Sequence, residues 1–116
     1  MSKIYISGAI TGHNNFYEKF KHAELWLKEN GYDTINPAKI SIDLPNLSYE
    51  DYMKIDYTLI NIADCVFMLD GWQKSKGACA ELSYAKSLGK KILYQDYFKK
   101  FRKNKKESDN EERNCD

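Results

Sequence analysis

The chain has 116 residues, 42% hydrophobic and 30% charged, with a formal net charge of +1, the composition of a single ordinary soluble globular domain. No apolar run approaches the roughly 18 residues of a membrane span, and Met1-Ser2-Lys3 leads straight into a strand-like run rather than a signal peptide, so a cytoplasmic protein is expected. Cys65, Cys79 and Cys115 are widely separated with no C-x-x-C pair, and His13 and His22 lack partners at ligand spacing, which argues against a disulfide framework and a metal site.

Lys3 to Ser7 (KIYIS) predicts a short buried strand ending in the turn Gly8-Ala9-Ile10-Thr11-Gly12. From about Asn15 the apolar period becomes helical through Phe16, Phe20, Ala23 and Leu25-Trp26-Leu27, with Gly31 as the stop. Tyr32 to Asn36 predicts a second strand closed by Pro37, and 38–47 a loop containing Pro45. Ser48 is an N-cap candidate for a helix running to about Ala63. Cys65 to Leu69 (CVFML) is a continuous apolar run, as expected of a strand covered on both faces. Gly77 to Leu88 predicts a helix ended by Gly89, Lys91 to Tyr94 a fourth strand, and Asp96 to Phe101 part of a last helix.

A basic block (Lys99, Lys100, Arg102, Lys103, Lys105, Lys106) precedes Glu107, Asp109, Glu111, Glu112 and Asp116. Such a charged segment cannot offset its ordering entropy, so 1–98 is expected to be the domain and 99–116 a disordered tail. The acidic stretch competes for the basic charges, which argues against a nucleic-acid partner.

The alternation of strands and helices predicts an α/β fold: one Rossmann- or flavodoxin-like domain, a parallel sheet of four to five strands with helices on both faces, in the order 2-1-3-4. Ligands in such sheets bind beyond the carboxyl ends of the strands, where strand order reverses. That selects Ser7 to Gly12 (with Gly8, Ile10 and Thr11), Asn36-Pro37, and Asp70 to Gly77 (with Gly71, Trp72 and Ser75) as one crevice.

Two carboxylates stand out. Glu81 follows Gly77 and Ala78 near a helix N-terminus, whose partial positive charge favours an ionised carboxylate; by itself this favours a residue that only complements the dipole. Asp56 falls on the apolar stripe of Tyr52, Met53, Leu59, Ile60 and Ala63, where a carboxylate is costly unless paired, protonated or reacting. One ionised and one protonated carboxyl form the pattern of glycoside cleavage, although a structural hydrogen bond would also explain Asp56. Ser7-Gly8 and Thr11-Gly12 suit an anion or a sugar, and Ser75 with the Gly77 amide suits an oxyanion or phosphate. Trp72 is placed to stack on a base or to cap the sheet. Asp70 is expected to face the crevice, and Asp64 to mark the turn into the third strand. The hydroxyl of Tyr5, on a central strand, needs a partner, and a carboxylate in the crevice is one candidate.

The segments Ile4 to Gly12, Asn36-Pro37, Asp56, Ala63-Asp64 and above all SKGACAELSYA (Ser75 to Ala85) resemble the nucleoside 2-deoxyribosyltransferase-like superfamily, nearest its short bacterial and phage members. The resemblance spans about residues 3 to 94. It implies that Glu81 is a nucleophile forming a covalent glycosyl intermediate, that Asp56 handles the leaving base, and that Tyr5 orients the nucleophile. It implies a nucleoside or nucleotide substrate, no cofactor, and a homodimer or larger homo-oligomer. Ser75 is similar to the 5'-monophosphate hydrolases of the superfamily, in which a serine contacts phosphate; Thr11 departs from the arginine those enzymes use, leaving Lys74, Lys76 or a neighbouring subunit to supply the charge.

Two other readings compete. A non-catalytic nucleotide-sensing module on the same fold would not need both carboxylates. A phosphoacceptor receiver would need an acidic pair after the first strand, where this chain has Ser7-Gly8-Ala9.

Overall fold

The structure, a computed structural model, describes residues 2–10 and 15–97. Four strands, β1 (Lys3–Ser7), β2 (Asp33–Ile35), β3 (Cys65–Met68) and β4 (Lys91–Tyr94), form one sheet in the order β2-β1-β3-β4. Every pairing is parallel, with Tyr5 opposite Ile35 on one side and Val66 on the other. The helices are α1 (Phe16–Glu29), α2 (Ala38–Asp43), α3 (Tyr49–Ile62) and α4 (Lys76–Ser87). The expected α/β class and strand order are found, with four strands.

Alternation along the strands sorts the core into two layers. Ile4, Ile6, Phe67, Leu69 and Leu93 pack with Phe20, Ala23 and Leu27 of α1 and with Ala38 of α2. Tyr5, Val66 and Met68 face the other way, against Ile60 of α3 and Ala78, Leu82 and Ala85 of α4. Both faces are covered, which is why the strands read as nearly continuous apolar runs. The chain leaves β1 towards β2 and then returns to β3, so the order reverses between β1 and β3. Side chains leaving the ends of those two strands therefore open into one crevice.

The helix ends have local causes. Gly31, at φ +90°, turns the chain after α1, and Gly89, at φ +73°, does so after α4. Ser48 Oγ accepts from the Asp51 amide at 3.1 Å, the expected N-cap, with Glu50 and Asp51 in the first turn of α3. Asp64 has the structural role expected of it: its carboxylate accepts from the Lys3 amide at 2.8 Å, and its own amide donates to the Lys3 carbonyl. β2 is shorter than its predicted span, with only Asp33–Ile35 in the sheet.

One expectation is corrected. The segment 38–47 is not all loop, because Ala38–Asp43 forms α2. Six residues are too few to be helical through their own hydrogen bonds, so periodicity carries no signal there. The helix exists because tertiary partners hold it: Asn36 Oδ1 accepts from the Ala38 amide at 3.0 Å, and Ala38 is fully buried against the α1 layer. Residues 95–97 are helical, which takes in the start of the predicted Asp96 to Phe101 helix; the rest of that helix and the predicted tail lie outside the described residues.

Candidate active site

Three elements deliver polar side chains into the apolar layer beneath the crevice. β1 places Tyr5 and Ser7 on the same face, two residues apart and both fully buried. α4 buries Ala78, Glu81, Leu82 and Ala85, a helical stripe in which Glu81 is the one charged member. α3 brings Asp56 from the face that also buries Met53 and Ile60. Ser7 Oγ donates to Glu81 Oε1 at 2.7 Å, and the carboxyls of Asp56 and Glu81 lie within hydrogen-bonding reach of each other.

Burial dominates the electrostatics. Glu81 is 5% exposed, and burial pushes its carboxyl well above its ordinary value; the neighbouring Asp56 raises it further, while Ser7 and Tyr5 pull the other way. Burial also raises Asp56, and its contacts with Glu81 and Tyr5 oppose that rise. Burial and mutual repulsion both oppose ionising the two neighbouring carboxyls together, so their titrations belong to the pair. The helix dipole was expected to keep Glu81 ionised. Glu81 is instead the sixth residue of α4, beyond the first turn where the dipole acts, and burial opposes its ionised form.

The Tyr5 hydroxyl completes the cluster. Burial first, and then the charges of Glu81 and Asp56, drive its pKa far upward. It sits beside both carboxyls yet meets hydrogen-bond geometry with neither, and it is the one buried side-chain polar atom without a partner among the described residues. A hydroxyl held neutral beside two carboxyls is ready to donate once either one shifts.

Glu81 and Asp56 lie at the wall of a cavity of about 590 Å³, large enough for a nucleoside-sized ligand. Gly8, Ala9 and Ile10 line it from the loop after β1, and Ser75, Gly77 and Ala78 from the start of α4. Pro37, Ile40 and Ser41 of the α2 segment, with Pro45, Tyr49, Tyr52 and Met53, line it as well. Gly8 is required by a close approach: a Cβ there would meet Leu69 Cδ1 at 2.8 Å and Leu69 Cβ at 3.0 Å. Ser75 Oγ accepts from the Ala78 amide at 3.1 Å, capping α4 and leaving its own hydrogen free to donate. Lys74 and Lys76 stand at the same rim, with the Lys76 ammonium 5.0 Å from the centre of the Tyr49 ring.

Some predicted residues are elsewhere. Asp70, Gly71 and Trp72 do not join this crevice; they line a separate cavity of about 280 Å³ with Tyr94 and Asp96. The cause is local: Gly71, at φ +85°, turns the chain into a short 3₁₀ turn, and the Trp72 ring settles 6.0 Å from that of Tyr94. Gln95 Oε1 meanwhile accepts from the Asp70 amide at 2.9 Å, tying that residue to the β4 side. Asn36 does not reach the cavity either, since its amide is engaged by Glu24 and by the start of α2. Thr11, Gly12 and His13 lie outside the described residues.

The sequence reading missed the α2 wall and the lining role of Tyr49 and Tyr52. A short helix made by tertiary contacts leaves no periodic trace, but the Tyr49, Tyr52, Met53, Asp56 spacing (i, i+3, i+4, i+7) was a usable signal for one α3 face towards the cavity. The same period would have found the buried position of Glu81. Among the described residues, no group of three or more His, Cys, Asp or Glu is arranged to hold a metal, and no helix is long and apolar enough to cross a membrane.

A family model described as Domain of unknown function (DUF4406) matches residues 2–94. No curated protein sequence matches the chain at significant similarity. Among solved structures, the chain is similar to the 2-deoxyribosyltransferase of Bacillus psychrosaccharolyticus at 25% identity with a TM-score of 0.63, over 80% of this chain and 71% of that one. It is similar to the 2-deoxyribosyltransferase of Leishmania mexicana at 22% identity and a TM-score of 0.63, over 81% of this chain and 63% of that one. The CMP N-glycosidase BcmB of Clostridium botulinum matches at 23% identity and a TM-score of 0.56, over 79% of this chain and 66% of that one. The chain thus has the flavodoxin-like fold of the nucleoside deoxyribosyltransferases, and it spans about two thirds of the length of these neighbours.

Proposed function

The chain belongs to the family described as Domain of unknown function (DUF4406), and from that premise we propose that it cleaves or transfers the N-glycosidic bond of a nucleoside or nucleoside 5'-monophosphate. The observation that carries this reading is the pair Glu81–Asp56, two neighbouring carboxyls, both raised by burial, at the wall of a nucleoside-sized cavity. The fold shared with a 2-deoxyribosyltransferase supports the reaction class.

Ionised Glu81, held by the Ser7 hydroxyl, attacks C1' of the sugar as the bond from C1' to the base nitrogen breaks. The bonding electrons leave with the base, which takes the proton carried by Asp56. The Asp56 carboxylate then removes a proton from water, or from the incoming base, as that nucleophile attacks C1' and releases Glu81. Retention at C1' follows from two displacements. A dyad with one proton supplies one nucleophile and one acid, whichever carboxyl holds the proton before substrate arrives. The Tyr5 hydroxyl donates to Glu81 when that carboxylate is regenerated as the leaving group.

Lys74 and Lys76, with the hydroxyl of Ser75 at the N-terminus of α4, favour a substrate bearing a 5'-phosphate. The aromatic rings of Tyr49 and Tyr52 suit the base. The same reading includes a cytoplasmic homo-oligomer, supported by exposed Ile42, Leu44 and Tyr49 around the cavity wall; light scattering after size exclusion tests the assembly.

The decisive experiment incubates the protein with a panel of nucleosides and nucleoside monophosphates, with and without a second base, and measures free base by chromatography. Mass spectrometry on the same samples detects a glycosyl adduct on Glu81. Base release that survives Glu81→Ala at the wild-type rate sinks the reading.

A further inference from the structure

Glu24 is 6% exposed, sits on α1 away from the carboxylate dyad, and plays no part in the chemistry above. We propose that Glu24 is a positioning residue for the cavity: acting through Asn36, it holds the start of α2 and so sets the wall formed by Pro37, Ile40 and Ser41 against the substrate. The substrate part of this inference rests on the function proposed above; the mechanical part does not.

The contacts form a continuous chain. Glu24 Oε1 accepts from Asn36 Nδ2 at 3.3 Å, and the oxygen of that same Asn36 side-chain amide accepts from the Ala38 backbone amide at 3.0 Å. Glu24 Oε2 accepts from Thr34 Oγ1 at 3.4 Å and from the Lys39 ammonium at 3.2 Å, with the Lys28 ammonium at 3.4 Å. One carboxylate therefore grips β2 through Thr34, the β2–α2 junction through Asn36, and α2 itself through Lys39. Burial raises the Glu24 carboxyl, but Asn36, Lys39 and Lys28 together bring it below its ordinary value, so it is ionised at neutral pH.

The helix it holds has little stability of its own. α2 is six residues long, and an isolated helix of that length does not form in water. Its far end is tied separately, by the Leu44 amide donating to the Ile40 carbonyl at 2.8 Å and by the Tyr52 hydroxyl donating to the Leu44 carbonyl. The wall is thus clamped at two ends, and Tyr52 serves both as a clamp and as lining. Removing the Glu24 end leaves the dyad untouched, because Glu81, Asp56, Tyr5 and Ser7 lie on the opposite face of the sheet.

The test compares Glu24→Ala and Glu24→Gln with the wild-type full-length protein, by steady-state kinetics and by hydrogen exchange of backbone amides. In Glu24→Ala the exchange of residues 38–44 is expected to rise about tenfold while protection of β1 and α4 stays as in the wild type. KM is expected to rise about tenfold with kcat within about twofold, and Glu24→Gln, which still accepts from Asn36, should recover most of the loss. Should Glu24→Ala fail to fold, Asn36→Ala breaks the same link and should give the same local exchange and the same KM shift. Unchanged exchange at 38–44, a uniform rise across the sheet, or a fall in kcat at constant KM overturns the proposal. If the wild-type protein turns over no substrate, the proposed function fails, and the exchange data alone then decide the clamp.

Discussion

Ser7 Oγ donates a 2.7 Å hydrogen bond to Glu81 Oε1, joining the last residue of β1 to a carboxylate 74 positions further along the chain. Both residues are almost fully buried, and the hydroxyl supports the charged form of Glu81 against the burial that opposes it. A hydrogen bond to a buried charge contributes about 1.5–3 kcal/mol, so Ser7→Ala is expected to lower kcat/KM by roughly 10- to 100-fold. The acidic limb of the pH–rate profile should move upward as well, since Glu81 becomes harder to ionise. A profile of kcat/KM against pH checks both effects; an unmoved limb would show that Ser7 does not tune the nucleophile.

Stability and pH are linked through the same pair. Glu81 and Asp56 have folded-state values above their ordinary 4.5 and 3.8, so the folded protein holds protons that the unfolded chain releases. Their favourable contribution is complete below those ordinary values and is lost as pH rises through the folded ones. Glu24 behaves oppositely: it is lowered from 4.5, so its contribution is present above that value and lost as pH falls through the folded one. Glu81→Gln is therefore expected to lose less stability than the wild type as pH rises above the ordinary carboxylate range, and to be catalytically dead. Thermal melts at a series of pH values rising from 4.5 test the prediction, and parallel curves for the two proteins would refute it.

Tyr5→Phe separates function from folding. The hydroxyl is fully buried and meets hydrogen-bond geometry with neither carboxyl, so its burial cost offsets what it gives to Glu81 and Asp56, and its removal is expected to leave the melting temperature little changed. Activity should nevertheless fall by about tenfold or more if the hydroxyl donates during turnover. A destabilised variant with full activity would be the opposite result, and would make Tyr5 a structural residue.

Gly8 and Gly77 line the same cavity but answer differently to an added methyl. Gly8→Ala places a Cβ 2.8 Å from Leu69 Cδ1 and 3.0 Å from Leu69 Cβ, so the loop after β1 must move, at about 1–3 kcal/mol. Gly77→Ala meets nothing nearer than Met53 Sδ at 3.7 Å, so the fold accepts it while the cavity narrows. Chemical denaturation should show a loss for Gly8→Ala and none for Gly77→Ala, whose effect should appear in KM alone.

The sequence alone determined the architecture, because its signals are local and redundant. Continuous apolar strands at Lys3–Ser7 and Cys65–Met68, the Ser48 cap, and the stops at Gly31 and Gly89 each follow from neighbours a few positions away. It also singled out Asp56 and Tyr5, polar groups on an apolar stripe and a central strand, Glu81 near a helix N-terminus, and Ser7 at the turn after the first strand. Only the tertiary structure decided how those groups meet. Depth of burial, a property of the packed layers, pushes the Glu81 carboxyl upward, against the effect expected from the helix N-terminus. The left-handed turn at Gly71 sent Asp70 and Trp72 to a different cavity, and the grip of Glu24 and Asn36 made a helix of residues that carry no helical signal. Those outcomes depend on contacts between residues far apart in the chain, where desolvation and hydrogen bonding outweigh local preference.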